Sequence, residues 1–97
     1  MARKVIWMPR AIDERRQIMQ YWLDRNKSFQ YPRKLNNTIN QTIKIIQQYP
    51  NSGIAVNKDN VRVIHIKNYL LFYKADDFSI IILSLWDTRQ DPTKLKI

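Results

Sequence analysis

Cysteine is absent from this 97-residue chain, glycine and histidine each occur once, and acidic residues are scarce. Without cysteine there is neither a disulfide nor a thiolate metal site, and one histidine builds no histidine cage, so no metal and no cofactor is expected. Long hydrophobic runs are missing too. Behind the basic start Met1-Ala2-Arg3-Lys4 the apolar stretch extends only from Val5 to Met8, too short for a signal core or a membrane span. The expectation is a cytoplasmic protein without membrane contact. A single glycine and the lack of repeats or low-complexity segments argue against a linker or tail, while 44% hydrophobic residues indicate a packed fold. A chain of this length makes one domain, spanning residues 1–97, that buries roughly two-thirds of its extended surface.

What the chain has in excess is positive charge. Seventeen Lys and Arg stand against eight Asp and Glu, a formal charge of +9, and the basic residues are spread from Arg3 to Lys96. Such a field belongs to the fold itself and attracts nucleic acid or an acidic protein segment at long range.

Periodicity divides the chain into seven elements. Lys4 to Met8 is a short strand stopped by Pro9. Ala11 to Arg25 is a helix with Ala11, Ile12, Ile18, Met19, Trp22 and Leu23 on its apolar side, and Asp13 and Glu14 near its start suit the helix dipole. Ser28 caps a second helix that tolerates Pro32 in its first turn. Its stripe is Leu35, Ile39, Thr42, Ile46 and Tyr49, widened by Ile43 and Ile45. Strands follow at Ile54 to Val56, Val61 to Ile66, Tyr69 to Lys74 and Ser79 to Trp86, with Asn57 to Asn60, Lys67-Asn68 and Ala75-Asp76-Asp77 as turns. The order β-α-α-β-β-β-β predicts an α+β domain: a helical hairpin on one face of a small twisted antiparallel sheet, with the first strand at its edge.

The strands do not alternate cleanly, as a sheet with one wet face should. With Val61, Val63, Leu71 and Tyr73 facing the helices, Ile64, Ile66, Leu70 and Phe72 point the other way beside Arg62, as an uncovered apolar patch suited to a protein interface. The same alternation puts His65 on the helix side, where a hydrogen-bonded structural role outweighs a catalytic one. Tyr73 is expected in the core, and Tyr69 suits either packing or base stacking.

The N-terminal strand, the Tyr21-Trp22 helix, the Tyr49-Pro50-Asn51-Ser52-Gly53 turn, Val61-Arg62, Asn68 to Tyr73 and Leu85-Trp86-Asp87-Thr88-Arg89-Gln90-Asp91-Pro92 together resemble the RelE/ParE superfamily. That resemblance implies a small basic toxin of a bacterial type II toxin-antitoxin system, neutralised by a cognate antitoxin with an acidic, partly disordered segment. Coupled folding of such a segment on the toxin accounts for both the charge and the apolar patch. The antitoxin or target would then meet Ile64, Ile66, Leu70, Phe72, Arg62 and Arg89.

Two branches of the superfamily differ in target. The RelE-like branch cuts ribosome-bound mRNA with basic side chains that stabilise charge at the phosphate, and the resemblance would give Arg62, Arg89 and Lys94 that catalytic role. Ile64 and Leu70 stand where such enzymes commonly carry cations, and beyond Arg89 the tail offers only Lys94 and Lys96. The ParE-like branch poisons DNA gyrase by protein contact and needs no catalytic constellation; the Arg89-Gln90-Asp91 ending resembles it more closely. In that branch Arg89 is an interface anchor, a phosphate contact, or a salt-bridge partner of Asp87 or Asp91. A non-toxic nucleic-acid-binding module is the remaining reading of the charge.

Overall fold

Turn and cap chemistry sets where each element begins. The structure, a computed structural model, describes residues 3–56 and 59–90. Strand β1 (Lys4–Trp7) runs through Met8 into helix α1 (Pro9–Asn26), with Pro9 opening the first turn, where a missing N–H costs no intrahelical bond. The helix therefore starts two residues before the expected Ala11, and its first turn carries no acid. Asp13 and Glu14 lie too far along to serve the dipole as expected. Lys27 ends α1 in the left-handed region (φ 50°), its N–H bonding the carbonyl of Leu23.

Ahead of helix α2 (Gln30–Gln48), the Ser28 hydroxyl accepts the Gln30 N–H at 3.2 Å, the capping contact its position predicts. Leu35, Ile39, Ile43 and Ile46 form the buried stripe, whereas Ile45 and Tyr49 lie outside it and are exposed.

Strands β2 (Ile54–Ala55), β3 (Arg62–Ile66), β4 (Tyr69–Ala75) and β5 (Ser79–Asp87) pair as successive antiparallel neighbours. Two tight turns show why. Lys67 adopts a left-handed φ of 56° between β3 and β4, and the Asp76 carboxylate accepts the N–H groups of Phe78 and Ser79 between β4 and β5. Sheet order is β1-β5-β4-β3-β2, so β1 is an edge strand as expected. It pairs with β5 in parallel, Lys4 opposite Ser79 through Trp7 opposite Ile82, which makes the otherwise antiparallel sheet mixed.

Both helices lie on one face of this sheet. Ala11, Ile18, Leu35 and Ile39 pack there against Ile66, Leu71, Tyr73, Ile80, Ile82 and Leu85, with Trp7, Met19 and Trp22 at the margin. The opposite face carries a smaller cluster of Val61, Phe72 and Trp86, bordered by Val63, Leu70 and Leu83.

That partition corrects the expected faces of β3. Ile66 is buried in the helix-side core and Ile64 packs against it, whereas Val61 and Val63 belong to the outer cluster. The expected docking patch of Ile64, Ile66, Leu70 and Phe72 is thus divided between two faces. The register explains it: Ile64 lies opposite Leu71 and Ile66 opposite Tyr69, while Val63 lies opposite Phe72 and His65 opposite Leu70. Cross-strand partners share a face, so the correct assignment of β4 fixes the opposite phase for β3. Phe72 is itself buried (6% exposed) and Leu70 half-buried.

A bulge in β5 moves the side chains once more. Phe72 pairs with Ser84 but Tyr73 with Ile82, leaving Leu83 without a partner in the register. Leu85 joins the helix-side core, and the fully buried Ser84 next to it donates its hydroxyl to Glu14 of α1 at 2.8 Å. The same carboxylate accepts the Leu85 N–H at 3.2 Å. A helix carboxylate thereby supports the irregular point of the sheet.

Candidate functional site

The end of β5 assembles a cationic site from three elements. Arg89, just beyond the strand, donates from Nε to Oδ1 of Asp87 at 3.0 Å and from Nη2 to Oδ2 at 2.8 Å, and its backbone N–H donates to Oδ1 at 2.9 Å. This bidentate fork fixes the guanidinium plane. On the other side, the guanidinium carbon lies 5.3 Å from the Tyr21 ring centre and 5.6 Å from that of Trp22, both on α1. Tyr21 and Trp22 meet edge to face at 5.1 Å, and the Trp22 indole N–H donates to the Tyr69 hydroxyl at 2.6 Å.

The electrostatics follow from these contacts. Hydrogen bonds from Arg89 hold the Asp87 carboxyl below its ordinary range, and the same pairing raises the Arg89 guanidinium further above neutrality. Burial pushes the Tyr69 phenol upward. Arg89 is a permanent cation, nearly half exposed and held in place before any partner arrives. Of the readings open to Arg89, the Asp87 salt bridge is formed, and it leaves one edge of the fork and one ring face to a partner. Beside it, Glu14, Gln17, Tyr21, Asp87 and Gln90 line a cleft of about 250 Å³.

Arg62 belongs to the other end of the sheet. It stands opposite Tyr73, whereas Asp87 stands opposite Tyr69, four positions along β4 and so roughly 13 Å away at the usual strand rise. Its Nη1 donates to the Gly53 carbonyl at 2.7 Å. A charged residue within an apolar strand needs such a partner, and here the partner is a turn. The Tyr73 hydroxyl completes the arrangement by accepting the Gly53 N–H at 2.8 Å and donating to the Pro50 carbonyl at 2.9 Å. Tyr73 is in the core, as expected, and its polar tip pins the Tyr49–Gly53 turn. The one glycine is required there, since a Cβ at Gly53 would come within 2.7 Å of the Tyr73 hydroxyl and 2.9 Å of the Val63 carbonyl oxygen.

His65 is exposed and on the outer face, with Val61 and Val63 as expected but away from the helices. Lys94, Lys96 and Asp91 lie outside the described residues. Among the described residues no group of three or more His, Cys, Asp or Glu converges on a metal position, and no helix is long and apolar enough to cross a membrane. Two features escaped sequence reasoning: the aromatic shelf under Arg89 and the Glu14 brace. Tyr21, Trp22 and Glu14 lie on a helix and their partners on a strand distant in sequence, so only the tertiary fold reveals the pairing.

The model for the ParE toxin of the type II toxin-antitoxin system parDE matches residues 5–92. The chain belongs to this family. Among solved structures, a chain described as the chromosomal ParDE TA system from P. aeruginosa superposes with a TM-score of 0.74, covering 91% of this chain and 98% of that one. At 15% identity that likeness shows a shared fold. No curated protein matches the chain. The resemblance to the RelE/ParE superfamily is confirmed, and with it the chain's place as the toxin component of a type II system. In this ParE-family toxin the Arg89 shelf and the Arg62 turn clamp are separate devices.

Proposed function

We propose that this toxin is held by a cognate antitoxin through an acidic, partly disordered segment, and that when released it inhibits DNA gyrase by contact. The separation of the two arginines carries this reading. Cleavage of RNA needs cations and a proton-transfer group around one phosphate, within hydrogen-bond reach of it. Arg62 is committed to the Gly53 carbonyl at one end of the sheet, and Arg89 is braced by Asp87 at the other. A braced, half-exposed arginine flanked by Tyr21 suits a protein interface, where arginine and tyrosine are favoured anchors. The antitoxin's apolar contacts fall on the outer face at Leu70 and the rim of Phe72, joined by Val63 and Leu83.

A supercoiling assay with purified gyrase and relaxed plasmid tests the target. The expected result is inhibition by the free toxin, with at least a tenfold loss of potency in Arg89→Ala and little change in Arg62→Lys, as for an interface anchor worth ~1.4 kcal/mol or more. Gyrase that works normally in the presence of folded toxin, together with cuts in ribosome-bound mRNA, overturns the gyrase reading in favour of the endoribonuclease.

A further inference from the structure

Helix α1 has a second apolar stripe that the core does not use. Trp7 at the end of β1, together with Ile12, Arg15, Arg16, Met19 and Gln20 of α1, lines an open groove of about 550 Å³. The helical positions 12, 15, 16, 19 and 20 recur at three and four residues, so they form one continuous face about 12 Å long at the usual helical rise. Ile12 is 43% exposed, and no carboxylate lines the groove. This surface is distinct from the outer sheet face and from the Arg89 shelf.

The charge within it decides what would cover it. Arg15 is half-buried, donates to the amide oxygens of Asn36 and Asn40 of α2, and lies 4.8 Å from the centre of the Trp7 ring. Every one of those partners is neutral. Burial lowers the Arg15 pKa from its ordinary value, the sign of a cation taken from water without an anion in return. Arg16 on the rim has only an exposed 3.4 Å pair with Asp13. A desolvated guanidinium held by neutral groups gains strongly from an incoming carboxylate.

We infer that this groove is a docking site for an acidic amphipathic helix of the antitoxin, whose apolar residues fill the space between Trp7, Ile12 and Met19 and whose carboxylate pairs with Arg15. The inference rests on the reading of the chain as an antitoxin-held toxin. A helix fits because the groove runs along a helix face and offers anchors at helical spacing. The segment folds on arrival, and Arg15 provides register as well as charge.

The test uses the toxin and its purified cognate antitoxin, with affinity measured by titration for the wild type, Arg15→Gln and Ile12→Glu. Each variant is first checked for a cooperative melt. The expected result is a loss of at least about tenfold in affinity for each, larger at low salt than at high salt for Arg15→Gln, and a cross-link to an acidic helical segment from a photoreactive residue placed at Ile12. Wild-type binding that persists unchanged in both variants, or a cross-link to an extended segment, overturns the groove assignment and leaves the toxin reading intact. Failure of the antitoxin to bind the wild type overturns the reading beneath it.

Discussion

Tyr73 shows how much one side chain settles in a small domain. Its ring fills the core while its hydroxyl bonds Gly53 and Pro50. Tyr73→Phe keeps the ring and strands the buried Gly53 N–H, so a loss of about 1–3 kcal/mol is expected in urea denaturation. An unchanged midpoint would mean that the turn is held by Arg62 alone. Asp87 makes a second residue-scale test. Its folded pKa is depressed by Arg89, so its contribution to stability is present above the unfolded value of about 3.9 and disappears as pH falls through the lower folded value. Wild type should therefore exceed Asp87→Asn in stability at pH 6, with the gap closing in acid; a gap constant down to pH 2 would exclude the ionised carboxylate as its cause.

At the scale of elements, β3 is the strand whose sequence misleads. Ile66→Ala should cost about 2–5 kcal/mol as a core deletion, whereas Ile54→Glu, at a position 74% exposed, should leave the melting temperature nearly unchanged. Equal effects would restore the phase expected from sequence. The strand limits, the turns and the helical hairpin were legible because Pro9, Ser28, Lys67-Asn68 and Asp76 carry local chemistry that acts within a few residues. The facing of β3 was not legible, because Val61, Val63, Ile64 and Ile66 supply apolar side chains in both phases. Pairing with β4 chose between them, and pairing is long-range. Arg89 was legible as a site residue from its place after the last strand, but the shelf that orients it was not. Glu14 is the converse case, an acid expected to serve its own helix that instead braces the bulge of β5.

For the molecule as a whole, charge governs behaviour outside the core. With seventeen basic residues against eight acids, the free toxin repels itself, and screening relieves that repulsion. Its melting temperature should rise between about 20 and 300 mM sodium chloride, while the antitoxin complex, in which opposite charges meet, should weaken over the same range. A free toxin that melts lower in added salt would indicate that local ion pairs outweigh the net field.

The parallel pairing of β1 with β5 joins the first strand described to the last, Lys4 beside Ser79. On a ribosome that order is a delay. The first strand and the helix that follows emerge early, yet β1 has no neighbour, Glu14 has no bulge to brace and Arg89 has no shelf until β5 clears the exit. A toxin assembled in this sequence cannot bring the Arg89 shelf to bear while it is being made, which gives an antitoxin translated alongside it time to be present when the sheet closes.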